Sequence, residues 1–154
     1  MKIKAAIIAL ALLFAGVTVA SAQDPNLGTW KLNEAKSHFG KGATKNHTVM
    51  YEMAGDETKV TVDGNTADGS AIHNEWTGKF DGRYYAVTGD ATSDKRMYRR
   101  VNKRTLAIRA TKEGKTTLTG TITISRNGKM RTVATSARNA QGRWITNTAV
   151  YDKQ

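Results

Sequence analysis

Residues 104–128 read RTLAIRATKEGKTTLTGTITISRNG. Apolar and polar residues alternate through Leu106-Ala107-Ile108 and again from Leu118 to Ile124, a period of two that turns one face of each segment inward. Thr and Ile dominate these segments, and both fit a pleated, half-buried surface. Glu113-Gly114 and Asn127-Gly128 follow them, and a polar residue before glycine in such a place signals a tight hairpin turn. The same punctuation recurs at Asp63-Gly64, Asp68-Gly69, Asp81-Gly82 and Gln141-Gly142. The pattern predicts strands near 28–33, 46–53, 57–63, 70–80, 83–89, 95–102, 104–111, 116–126, 129–137 and 143–151. A helical turn or two is expected between Asn33 and Phe39, where Asn33 can cap and Glu34-Ala35-Lys36 favours helix.

Antiparallel segments in such number must bury one face, and the choices are an up-and-down barrel or a two-sheet sandwich. Hairpins that follow one another without long crossovers favour a single antiparallel up-and-down β-barrel of eight to ten strands. No side-chain pattern repeats with the turns, so residues 23–154 are expected to form one domain. The stretch from His38 to Asn46, with Gly40 and Gly42, reads as a mobile loop able to serve as a lid.

The chain has 154 residues, and its first 22 have the build of an export leader. Lys2 and Lys4 precede an apolar run from Ala5 to Val17, and Ala20-Ser21-Ala22 offers small residues for cleavage, which would leave Gln23 first. The run is shorter than the roughly 20 apolar residues that span a bilayer. No transmembrane segment is expected once the leader is removed, and the protein is expected in the periplasm or the medium. With no cysteine in the chain, disulfides, cysteine-ligated metals and cysteine nucleophiles are excluded.

Charge divides the chain. Residues 23–94 carry a net charge of −4 and residues 95–154 a net charge of +13. In a barrel of successive strands these halves should become two sides of one molecule. The densest basic stretch is Lys95, Arg96, Arg99, Arg100, Lys103 and Arg104, a candidate surface for lipopolysaccharide, acidic glycan or anionic lipid. Tyr98 beside Arg99 and Arg100 also suits stacking on single-stranded nucleic acid, but export to a compartment holding little of it disfavours that partner.

Signs of chemistry are absent. His38, His47 and His73 are not spaced to grip a metal together, and no Gly-x-Ser-x-Gly elbow, phosphate loop or dinucleotide fingerprint occurs. The acids Asp56, Glu57, Asp63, Asp68, Asp81 and Asp90 sit in turns, where they are chiefly turn formers. No catalytic residue, metal or cofactor is assigned, and the protein is read as a non-enzyme.

Gly28-Thr29-Trp30-Lys31-Leu32 resembles the Gly-x-Trp opening strand of the calycins, the barrels that include lipocalins and fatty-acid-binding proteins. The wider layout, an exported chain with Gly-Thr-Trp-Lys-Leu-Asn near its start and Val-Tyr-Asp-Lys near its end, is similar to small bacterial lipocalin-like proteins. The resemblance implies that Trp30 plugs the closed end of the barrel beneath a basic side chain from a late strand. The segment Asn147 to Lys153 resembles the closing strand of fatty-acid-binding proteins, where an Arg and a Tyr two residues apart hold a carboxylate. Here Tyr151 stands in the Tyr position and Ala149 in the Arg position. Because a buried carboxylate without a charged partner is costly, this departure favours a neutral or amphipathic ligand unless another arginine compensates.

Strand parity gives the expected lining. His47, Val49, Tyr51 and Met53 share one face, as do Ile72, Asn74, Trp76, Gly78 and Phe80, and likewise Leu118, Gly120, Ile122 and Ile124. Tyr51, Trp76, Phe80, Leu118, Ile122 and Tyr151 are the candidate ligand-binding residues, with Gly78 and Gly120 expected to leave room between them. The expected function is an exported binding protein that holds a small apolar or amphipathic molecule inside the barrel. The alternative is a basic protein that docks on anionic envelope surfaces without a cavity.

Overall fold

The computed structural model describes residues 23–139 and 141–154; the expected leader lies outside them. The strands are β1 (Gly28–Leu32), β2 (His38–Phe39), β3 (Lys45–Ala54), β4 (Glu57–Asn65), β5 (Ala71–Gly78) and β6 (Asp81–Thr88). They continue with β7 (Lys95–Asn102), β8 (Thr105–Lys112), β9 (Lys115–Ile124), β10 (Met130–Arg138) and β11 (Trp144–Lys153). From β3 to β11 each strand pairs antiparallel with the next, and β1 closes the ring by pairing with both β3 and β11. The architecture is thus a closed up-and-down barrel of ten strands. β2 adds no eleventh stave. It pairs with Asn147 and Thr148 of β11, while β1 pairs with Tyr151 to Lys153, so the two short strands follow one another along the same edge.

Between β1 and β2 the chain makes a single 3-10 turn, Glu34–Lys36, in which Asn33 accepts from the Lys36 backbone N–H at 3.2 Å. The helix expected here is therefore one turn long. The stretch read as a lid is partly tied down, since its first residues form β2.

One end of the barrel, the base, carries the β3–β4, β5–β6, β7–β8 and β9–β10 turns and the segment Gln23–Leu27. The other end, the mouth, carries the remaining hairpin turns and the Asn33–Thr44 connection. Trp30 is fully buried near the base. Its indole Nε1 donates to the Asn26 carbonyl at 2.9 Å, and the Lys153 ammonium lies 5.1 Å from its ring centre. The indole supplies apolar area where strands converge and finds a partner for its one donor. Tyr51, Trp76, Phe80 and Tyr98 form one aromatic cluster, with Trp76 and Tyr98 edge-on at 4.7 Å. Leu106, Ile122, Ile124 and Val60 complete the filled half.

The two inward glycines do not open space. A Cβ on Gly78 would strike the Tyr85 ring at 2.5 Å, because that ring packs where β5 and β6 diverge after pairing only at Glu75↔Thr88 and Trp76↔Val87. A Cβ on Gly120 would meet the Ala134 carbonyl oxygen at 2.3 Å, so this glycine lets β10 approach β9. Both glycines serve close contact, contrary to the sequence expectation.

Strand order also settles where the charge goes. β1 and β3 to β6 occupy one side of the barrel and β7 to β11 the other. The net −4 and net +13 segments therefore face opposite directions.

Candidate functional site

The inner wall changes character halfway up. Near the base, Ile124, Arg131 and Tyr151 form one inward row across β9, β10 and β11, and all three are buried. The next row toward the mouth is Ile122, Val133 and Ala149, and Val133 is already partly exposed. Beyond it come Ile108, Gly120, Thr135 and Asn147, then Leu118, Ala137 and Ile145, all partly exposed although they share the inward parity. These inward residues keep partial contact with solvent toward the mouth along β8 to β11, while Ala110, opposite Leu118, is buried.

The Asn33–Thr44 connection borders the mouth. The Gly40 backbone N–H donates to Asn147 Oδ1 at 3.0 Å, and Phe39 packs on the core from above. On its other side the connection bounds a hollow of about 570 Å³ lined by Glu34, Phe39, Lys45, His47, Asn65 and Thr66 among others. Lys45 is held there by Glu34 at 2.6 Å and lies 5.5 Å from the Phe39 ring centre. A smaller hollow of about 300 Å³ lies between His38–Gly40 and Thr146–Thr148. The mouth is thus a mixed rim of aromatic, basic and amide groups above an apolar wall.

Two arginines lie inside the barrel, and they differ in kind. Arg96, on β7, is 8% exposed; its Nη2 donates to Asn74 Oδ1 at 3.1 Å and to Asp90 Oδ2 at 3.0 Å. Burial works to raise the Asp90 carboxyl, but hydrogen bonds from Ser93 and Thr92 and the charge of Arg96 outweigh it and hold it below its ordinary value. The Arg96 carbonyl accepts from Trp76 Nε1 at 2.9 Å, which ties the ion pair to the aromatic cluster. Arg131, on β10, is 3% exposed and has no carboxylate partner among the described residues. Its Nη2 donates to Tyr51 Oη at 2.5 Å, while Nε and Nη1 have no hydrogen-bond partner. Its guanidinium carbon lies 4.4 Å from the Tyr51 ring centre and 5.7 Å from that of Tyr151. Burial pushes the Tyr51 hydroxyl upward and that of Tyr151 to about 12, so both are neutral at ordinary pH despite the nearby cation.

Of the expected ligand residues, Tyr51, Trp76, Phe80, Ile122 and Tyr151 belong to the filled half, while Leu118 is partly exposed nearer the mouth. Tyr151 has no arginine two residues before it, yet Arg131 sits directly opposite it in register. Parity could have singled it out, since it lies four residues beyond Asn127 on a strand whose inward set is Arg131, Val133, Thr135 and Ala137.

The expected basic surface divides in the same way. Arg96 is a correction, being enclosed by Asn74 and Asp90 and withdrawn from any docking face. Arg100 has inward parity at the base, pairs with Asp24 and lies 5.2 Å from the Phe80 ring centre. Lys95 and Arg99 point outward from β7 beside Arg109 of β8, and Lys103 and Arg104 form the adjoining turn. Among the described residues none of these five enters an ion pair. Among the same residues no group of three His, Asp or Glu is placed to hold a metal.

No family model matches the chain, and no curated protein matches it. Solved structures do match in fold. A redesigned β-barrel, mFAP1, bound to DFHBI, aligns over 84% of this chain and 95% of its own at 12% identity, with a TM-score of 0.48. EF1p2_mFAP2b bound to DFHBI aligns over 84% of this chain and 94% of its own at 11% identity, with a TM-score of 0.51. At such identity the likeness concerns the barrel fold.

Proposed function

We propose that this chain is an exported, non-enzymatic binding protein that takes a small amphipathic molecule into the mouth half of its barrel. The observation that carries the reading is the partial exposure of inward-facing Ile108, Leu118, Gly120, Thr135, Ala137, Ile145 and Asn147, above a base sealed by aromatic rings. A wall of this kind shelters an apolar body while Asn147, Thr135 and the rim around Lys45 and His47 meet polar ends. EF1p2_mFAP2b, of the same fold, is bound to DFHBI, so barrels of this build hold ligands. The test is to fill the hollow. Ala137→Trp should abolish the fluorescence gain of Nile red on the parent protein while leaving the far-ultraviolet circular dichroism unchanged. Equal Nile red binding by parent and variant would refute a mouth-side site.

A second reading has its own support. The outward cluster of Lys95, Arg99, Lys103, Arg104 and Arg109, free of ion pairs among the described residues, suits docking on anionic envelope surfaces. The two readings are compatible, since one uses the inside of the barrel and the other its outer wall.

A further inference from the structure

We infer that Gln23 is a modification site: once the leader is removed it cyclises to pyroglutamate, and the blocked terminus preserves the plug at the base of the barrel; this rests on the reading of the chain as exported. Cleavage after Ala22 turns the Gln23 nitrogen into a free α-amine on the same residue as a side-chain amide. Gln23 is exposed, so no packing holds that amide away from the amine. The amine nitrogen attacks Cδ of the amide. The new N–Cδ bond closes a lactam ring, the Cδ–Nε2 bond breaks, and Nε2 leaves as ammonia with the proton that the amine gives up. Nothing is oxidised or reduced, and no co-reactant is consumed. The attacking form is the neutral amine, which an α-amino group with a pKa of about 8 supplies at ordinary pH.

The plug begins one residue later. Asp24 Oδ1 accepts from the Asn26 backbone N–H at 3.0 Å and from Asn26 Nδ2 at 2.9 Å, and the Asp24 carbonyl accepts from the Leu27 N–H at 3.0 Å. Asp24 Oδ2 accepts from Arg100 Nη2. This turn holds Asn26 fully buried, where its carbonyl receives the Trp30 indole N–H at 2.9 Å. The seating of the base therefore depends on one carboxylate. A free ammonium on Gln23 would stand one residue from it, where it is repelled by the Arg100 guanidinium. Exposed terminal residues are also where proteolysis concentrates. Removal of Gln23 by an exopeptidase would place the new ammonium on Asp24 itself, in competition with Arg100 for the carboxylate. Pyroglutamate carries no charge and offers no free amine to an aminopeptidase, so Asp24 is left to Arg100.

The experiment is intact mass spectrometry of the protein expressed with its own leader and purified from the periplasm or the medium, before and after digestion with an aminopeptidase. The parent should begin at Gln23, be lighter than the unmodified chain by one ammonia, and pass through the digestion unchanged. Gln23→Ser keeps a polar exposed terminus and has no amide to cyclise; it should show its full mass and lose its first residue to the enzyme. The Trp30 Nε1–H resonance should stay in place when the parent is treated and move when the variant is trimmed, because the Asn26 carbonyl shifts with Asp24. A parent that begins at Gln23 and retains the ammonia, or a trimmed variant whose Trp30 Nε1–H resonance is unmoved, would overturn the inference and leave export standing. A chain that keeps its leader or begins at another residue would overturn both.

Discussion

Removing the carboxylate of Asp90 isolates what the paired interior arginine contributes. Asp90 Oδ2 accepts from Arg96 Nη2 at 3.0 Å and from Ser93 Oγ at 2.5 Å, and Oδ1 accepts from the Thr92 backbone N–H at 2.8 Å and hydroxyl at 2.7 Å. The Arg96 and Asp90 side chains are 9% and 16% exposed, so solvent screens the pair only weakly. Asp90→Ala leaves a buried guanidinium with Asn74 alone. Breaking such a pair from one side costs about 3–5 kcal/mol, and the edge position of Asp90 favours the lower figure, about 3 kcal/mol. For a domain of this size that is a fall in Tm of about 10 °C. Asp90→Ala/Arg96→Met should recover more than half of the loss, because an apolar replacement removes the unpaired charge. The Asp90 carboxyl lies below its ordinary value in the folded protein. Its contribution is therefore fully present above that ordinary value and lost as pH falls through the folded one. The gap in Tm between parent and variant should hold from neutral pH down to about pH 5 and close below about pH 4. Thermal scans by circular dichroism across this range supply the measurement. A loss under about 1 kcal/mol at pH 7, or a double variant no more stable than the single one, would refute the assignment of Arg96 and Asp90 as an interior pair.

Gly120→Ala should push β10 away from β9, since the added Cβ meets backbone at the Ala134 carbonyl; urea denaturation should show a loss of about 1–3 kcal/mol, as overpacking does. His73 Nδ1 donates to Asp63 Oδ1 at 2.6 Å and its Nε2 lies 3.7 Å from Glu75, and the Asp63 hydrogen bond, opposed by burial and aided by both acids, raises it above 6.5. Its NMR titration should have a midpoint above 6.5 that returns toward that value in Asp63→Asn, and any stabilisation from the charged pair is present below 6.5 and vanishes as pH rises through the folded midpoint. Reversal of Lys95, Arg99 and Arg109 to Glu should abolish sedimentation with anionic phospholipid vesicles at low salt, as raising the salt should do for the parent; persistence of binding in the variant would exclude this face.

Much of the hairpin pattern was legible because turns at Asp68-Gly69, Glu113-Gly114, Asn127-Gly128 and Gln141-Gly142 carry a polar residue before glycine, with β-rich segments between them. Asp63-Gly64 and Asp81-Gly82 instead fall inside β4 and β6, and the β7–β8 turn at Lys103-Arg104 has no glycine. That pattern predicts eight to ten staves, and the barrel has ten; Trp30 near the base is what the resemblance of the opening strand implies. β2 was not legible, since two residues carry no period and are held only by Asn147 and Thr148 of β11. Gly78 and Gly120 misled because a glycine at inward parity states that a side chain is absent and leaves unsaid what fills the place; here Tyr85 and the β10 backbone do. Arg96 was hidden in a basic run whose members alternate between the two faces of β7, so charge density alone could not separate it from Lys95 and Arg99. Arg131 shows the converse. Its strand parity was available, but a basic residue in a basic half reads as surface until the register with Tyr151 is known.

The proposed function requires that the mouth half of the barrel, between β8 and β11, receive a ligand while the base stays closed. Two-dimensional amide NMR during titration with methyl decanoate tests it directly. Saturable shifts are expected at Ile108, Leu118, Gly120, Thr135, Ala137, Ile145 and Asn147, with Trp30, Leu106 and the outward Lys95 and Arg99 unmoved. Shifts concentrated on the outer face of β7 and β8, or no saturable shift at any of the seven mouth-side residues, would contradict it.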